Sequence, residues 1–272
     1  MHIDRTRAED AFAAYVAAYD ASNPRISLKV DHTLRVAALC DRIARSIGLP
    51  ADDVDLAWLC GLLHDIGRFE QVRRWDTFSD AASVSHALLG VRVLFGPDAE
   101  PQLARPGDEG RIGLVREFVT DGSEDDLIRT AVATHSDYRL PQGLPQRTRT
   151  FCDVVRDADK VDILKAVTLE PMDAIFGVGE EQMRASSLSP AVLEAFRARR
   201  CVLRADRRQP ADFLVSFACF CFELVYPESR RAALEQGCVF KILDRRLDDP
   251  ASDAELRAMS AELRAWLERD VA

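Results

Sequence analysis

A chain of 272 residues with 47% hydrophobic and 30% charged side chains has enough apolar surface for a sizeable core and enough charge to stay wet outside, as an ordinary globular protein does. Its formal net charge of −9 sets the average field against nucleic acid and anionic lipid, although a local arginine cluster can still present a positive mouth to a phosphate. The polar start MHIDRTRAED has no apolar run behind it, and the longest apolar stretch, 213–225, is broken by Ser216 and Glu223 and falls short of the roughly 20 residues that span a bilayer. We therefore expect a cytoplasmic protein with no membrane association.

In chain order, residues 8–20 and 27–47 place apolar side chains three and four apart, the pattern of helices with one buried stripe, and Gly48 and Pro50 close the second. Asp52 and Asp53 supply an N-cap signal for 54–64, VDLAWLCGLLH, an almost wholly apolar helix expected at the centre of the core. Helical patterns resume at 84–95, 111–120, 125–135, 148–168, 190–203, 211–225, 229–246 and 252–269, and no segment alternates as a strand would. The fold class is all-α. The Pro/Gly-rich interruptions 96–110 and 136–147 read as surface loops, the second starting directly after His135. One domain over 1–272 is expected, with a core at about 26–167 and a helical extension over about 172–272 that covers the core or forms a homo-oligomer interface.

The seven cysteines, Cys40, Cys60, Cys152, Cys201, Cys219, Cys221 and Cys238, are odd in number and lack a CxxC pair, which fits reduced thiols. Cys219 and Cys221 are read as buried small hydrophobes rather than a thiolate metal site. Four of the five histidines, His32, His64, His86 and His135, fall in or at the end of expected helices beside apolar residues. Singly, each is more often a satisfied core or surface residue than a ligand. His64-Asp65 differs because it ends the most apolar helix, where a polar pair must be hydrogen-bonded, paired or coordinated to offset desolvation. Imidazole and carboxylate suit borderline and hard divalent cations. Further on, RDADKVD places Arg156, Asp157, Asp159, Lys160 and Asp162 within a helical stretch, with Asp159 and Asp162 on one face. Lys160 is one of only four lysines against thirty-two arginines and is a candidate for holding a phosphate as a compact charge.

The order His32, His64-Asp65, Asp159, set in DHTLRV, LLHDIGRFE and RDADKVDIL, resembles the HD-domain metal-dependent phosphohydrolases. The resemblance covers roughly 26–167 and implies an HD-domain-like helical bundle with additional C-terminal helices. It implies that these four residues bind a divalent metal (Mn, Fe, Zn, Ni, Co or Mg). Members with two metals carry two further histidines in between, and His86 and His135 stand at corresponding places, so Asp65 would bridge two ions. The chain lacks the Gly-Tyr-Pro signature of the cyclic-dinucleotide branch, and Arg68 stands where many members have Lys. The implied activity is hydrolysis of a phosphate ester of a small metabolite or nucleotide by metal-activated water, with Asp65, Lys160 and Arg68 in catalytic roles and Arg68, Arg139 and Lys160 on the substrate. Trp75 and Phe78 can stack on a ring, though aromatic residues in such a loop more often fix it by burial. Two alternatives stay open: a di-iron oxygenase of the same superfamily, and a non-catalytic nucleotide-binding regulator.

Overall fold

The structure, a computed structural model, describes residues 1–169 and 177–269, and among them every regular element is a helix. The expected start of the extension near residue 172 lies outside the described residues. The chain divides into two compact units, Met1–Asp159 and Lys160–Ala272.

In the first unit, α1 (Arg5–Val16), α2 (Pro24–Ser46) and α3 (Ala51–Leu63) follow one another. The apolar α3 is its centre, with Val54 and every residue from Leu56 to Leu63 buried. Val36, Ala37, Cys40 and Ile43 of α2 are buried together with His32 and Thr33 on the same face, and α2 packs on α3. Close approach is possible because Gly61 has no side chain: a Cβ there would meet Cys40 Sγ at 2.8 Å and the Ala37 backbone at 2.9 Å. Asp52 and Asp53 lie in the first turn of α3, not at its N-cap, because Pro50 occupies that place and the helix starts earlier than the apolar pattern. Their charges still favour the positive helix end.

After α3 the chain turns through 64–66 into α4 (Gly67–Trp75), an element that periodicity did not mark because Gly67 reads as a stop. Gly67 is instead the crossing point with α5 (His86–Phe95), where a Cβ would lie 2.2 Å from the His86 carbonyl oxygen and 2.4 Å from Gly90 N. The expected helix over 111–120 shrinks to α6 (Val115–Phe118), since Gly113 sits at φ +77° and delays its start. Then come α7 (Asp125–Thr134), packed on α5, and α8 (Gln146–Leu169). The regions 96–110 and 136–145 are irregular apart from a 3-10 turn at Pro101–Leu103, and the loop expected to 147 ends earlier because α8 already starts at Gln146.

Two charged ties fasten this unit. Glu70 is fully buried on α4 and accepts hydrogen bonds from Tyr19 (2.7 Å), Arg73 (2.7 and 2.9 Å) and Arg74 (2.7 Å). Arg156 of α8 donates to the carbonyls of Thr134, His135 and Asp137 (3.0, 3.1 and 2.5 Å), closing the end of α7.

The second unit holds α9 (Glu180–Arg184), α10 (Pro190–Arg197), α11 (Asp212–Ala218), α12 (Pro227–Gln236), α13 (Cys238–Leu243) and α14 (Pro250–Glu268). Here α11 packs on α10 and α13, and α14 on α12 and α13. The helix expected over 211–225 tightens into a 3-10 segment at Cys219–Glu223, and the one over 229–246 breaks at Gly237, which sits at φ +63° between α12 and α13. Asp212 is buried and accepts from Ser189 Oγ and from the backbone N–H groups of Ser189, Arg208 and Gln209 at 2.7–2.8 Å, so its charge organises loop backbone. All seven cysteines are buried and unbridged.

Candidate metal centre

His32 comes from the middle of α2, His64 and Asp65 from the end of α3, His86 from the start of α5, His135 from the end of α7 and Asp159 from α8, and all six are buried. Asp65 lies at their centre. Its Oδ2 faces His32 Nε2 at 3.5 Å and His64 Nε2 at 3.6 Å, while its Oδ1 faces His86 Nε2 at 3.4 Å and His135 Nε2 at 3.5 Å. Asp159 Oδ1 lies 3.2 Å from His32 Nε2 and 3.7 Å from His64 Nε2. The arrangement is two histidine pairs, one on each oxygen of a single carboxylate, with a second carboxylate on the first pair.

Hydrogen bonding sets the tautomers. His64 donates its Nδ1 proton to the Gly61 carbonyl at 2.7 Å and His135 donates to the Val132 carbonyl at 2.8 Å. His86 Nδ1 lies 2.7 and 2.9 Å from the two oxygens of Asp80. With Nδ1 protonated, each neutral ring turns an Nε2 lone pair inward. The Nε2 atoms of His86 and His135 then meet at 3.0 Å, and those of His32 and His64 at 3.3 Å. Between His86 and His135, either an extra proton or a cation must lie. Burial, reinforced by the Arg68 charge, pushes His86 down to about 4, so it does not take that proton at neutral pH. The same Asp80, although burial opposes its charge, is held at about 2 by its hydrogen bond to His86 and by Arg68.

Two further features ask for a cation. Asp65 Oδ1 is buried with no hydrogen-bond partner. His64 and His135 also stand at the C-caps of α3 and α7, so two negative helix ends converge on the donors. Burial works against the Asp65 charge, yet the charges of Lys29 and Arg68 hold it well below the ordinary carboxylate range. Asp159 is held low against its burial, first of all by a hydrogen bond from His32 Nε2 at 3.2 Å. Two sets of donor atoms, His32 with His64 and Asp159, and His64 with Asp65 and His135, are each close enough to hold one metal ion. The neutral nitrogen and ionised oxygen donors fit a borderline or hard divalent cation, and among the described residues no thiol joins them.

The expected cations are placed differently from one another. Arg68 Nε lies 3.5 Å from Asp65 Oδ1, and its Nη1 donates to Gln71, the Phe78 carbonyl and Asp80 at 2.7–3.1 Å. Lys160, the first residue of the second unit, has its Nζ 3.7 Å from a Glu223 carboxylate oxygen. Arg139 is exposed, its guanidinium 5.3 Å from the Tyr138 ring. Trp75 meets the guanidinium of Arg74 at 5.9 Å.

Sequence reasoning passed over Lys29 and Asp80. Lys29 Nζ lies 2.6 Å from Asp65 Oδ2; its signal is a position three residues before His32, on the same face of α2. Asp80, in a 3-10 turn that Gln71 pins by donating to Asp80, Ser83 Oγ and the Val84 carbonyl, has no periodic signal.

All six residues fall within a stretch of the chain that matches a known family. Residues 30–166, half of the chain, match the family model described as HD domain. No curated protein and no solved structure matches the chain.

Proposed function

This chain belongs to the HD-domain family, most of whose members are metal-dependent hydrolases, and from that membership we propose that it hydrolyses a phosphate ester of a small metabolite or nucleotide with two divalent cations. The observation that carries the proposal is the split of Asp65, one carboxylate oxygen toward His32 and His64 and the other toward His86 and His135. In this reading His32, His64, Asp159 and Asp65 would hold one cation, and His86, His135 and Asp65 would hold the other. Two cations bridged by a carboxylate supply Lewis acidity toward a phosphoryl oxygen and acidify water near neutral pH.

The chain's own groups do the rest. The carbonyls of Gly61 and Val132 and the Asp80 carboxylate keep three imidazoles in the tautomer that presents Nε2. Arg68, held by Gln71, the Phe78 carbonyl and Asp80, presents a fixed positive charge beside Asp65 and can neutralise charge that grows on the phosphoryl oxygens. Burial of all six donors keeps bulk water from competing for them.

The test is metal content and phosphate release measured together. Wild type is expected to retain about two equivalents of a divalent cation and to cleave members of a panel of phosphate esters, releasing inorganic phosphate from a monoester or a monoester and an alcohol from a diester, with loss of activity in chelator. Folded His64→Ala and Asp65→Ala proteins should lose both. A protein that keeps two irons, consumes oxygen and releases no phosphate would replace hydrolysis with oxidation, and one that stays free of metal after dialysis against these ions would remove the centre itself.

A further inference from the structure

The basic residues around Asp65 repeat the symmetry of the histidines. Lys29 Nζ sits 2.6 Å from Oδ2, the oxygen that faces His32 and His64, and Arg68 Nε sits 3.5 Å from Oδ1, the oxygen that faces His86 and His135. Each oxygen thus has two imidazoles and one cationic side chain. The two cations share an aromatic support: Lys29 Nζ is 5.4 Å and the Arg68 guanidinium carbon 5.7 Å from the centre of the Phe78 ring. Both side chains are only 15% exposed, so each depends on a nearby anion for its charge to be tolerated.

Arg68 Nε is buried and makes no hydrogen bond, the 3.5 Å to Asp65 Oδ1 being too long or misaligned for one. Lys29 has three protons, and Asp65 takes one of them. When cations occupy the two halves of the centre, both Asp65 oxygens are committed to them: Lys29 loses the anion that now balances it, and Arg68 is left with Asp80. A second anion has to take its place.

Resting on the phosphohydrolase reading above, we propose that Lys29 and Arg68 form the substrate grip of this centre, exchanging Asp65 for the terminal phosphoryl group, and that the preferred substrate is a phosphomonoester dianion. Two buried positive side chains in addition to two divalent cations outnumber the carboxylates Asp65, Asp159 and Asp80. A dianion reduces that surplus further than the single charge of a diester does. Lys29 suits the task as a compact charge on a flexible stem that can leave Asp65, whereas Arg68 is fixed by its three bonds from Nη1 and contributes direction. Phe78 keeps both within reach of one ligand.

The experiment compares wild type, Lys29→Met and Lys29→Arg, each loaded with metal, for metal content, for affinity toward inorganic phosphate and for KM and kcat on a matched monoester and diester. Lys29→Met is expected to keep the metal equivalents of wild type, to bind phosphate at least about tenfold more weakly and to raise KM for the monoester more than for the diester, with part of the loss restored in Lys29→Arg. Phosphate affinity within twofold of wild type at full metal content would overturn the role of Lys29 while leaving the hydrolytic reading intact. So would loss of metal from Lys29→Met, since Lys29 would then be a support for Asp65. Should Lys29→Met fail to fold, Lys29→Gln decides by the same phosphate measurement. A metal-loaded wild type that neither binds phosphate nor cleaves any ester would overturn both readings together.

Discussion

Asp80 does for His86 what a backbone carbonyl does for His64 and for His135: it takes the Nδ1 proton and leaves Nε2 facing the centre. The difference is that a carboxylate on a loop can be removed without touching a helix. Replacing Asp80 with Ala is expected to weaken the cation at His86 and His135 by about 10- to 100-fold while leaving the one at His32, His64 and Asp159 in place, so that metal titration shows one strong and one weakened site. Asp80→Asn, whose carbonyl can still accept from Nδ1, should fall between. Equal affinity at both sites in Asp80→Ala would show that His86 needs no such support. That these residues come together was readable in the sequence because His64-Asp65 ends an apolar helix and His32 and Asp159 sit in motifs whose order resembles a known family. Asp80 was not readable, since its pairing with His86 across six residues depends on how Gln71 and Arg68 fold the loop between them.

At the scale of elements, most helices were legible because a buried stripe recurs every three to four residues. What escaped were glycines whose role is set by a neighbour: Gly67 opens α4 at a crossing with α5 and does not end a helix, and Gly237 breaks one expected helix into two. The α4 helix is fixed to the N-terminal segment by Glu70, which Tyr19, Arg73 and Arg74 hydrogen-bond in a fully buried position. Burial opposes the Glu70 charge, but these bonds hold its pKa below the ordinary value. A lowered folded-state pKa means stability that is fully present above the unfolded value of about 4.3 and is lost as pH falls through the lower folded value. Glu70→Gln should therefore cost about 2 to 3 kcal/mol at pH 7, and the gap to wild type should close below about pH 4. Urea unfolding of both proteins across that range checks it; a gap that is the same at every pH would assign the effect to packing.

Over the whole molecule, the donors span residues 32 to 159 and come from five helical segments, so a bound cation ties together nearly the full length of the first unit. The end of that unit falls inside α8, where no change in composition marks it, and for that reason the sequence reads as continuous there. The inward lone pairs of His86 and His135, 3.0 Å apart, and the buried Asp65 Oδ1, which makes no hydrogen bond, are gathered at a cost that a cation would offset. A cation removes that cost only in the folded chain, because the unfolded chain does not assemble the donors, so binding free energy adds to folding free energy. At a free metal concentration near 100 times the dissociation constant this is about 2.7 kcal/mol, which for a unit of this size corresponds to a rise of about 5 to 10 °C in Tm. Chelation should reverse the rise, and amide exchange should quicken first around 61–66, 132–136 and 156–159, where helix ends and α8 present their donors. A Tm that ignores both loading and chelation, with metal content confirmed at each step, would mean the donors are rigid enough without the ion to hold their mutual repulsion, and packing of α3 against α2 would then have to carry that cost alone.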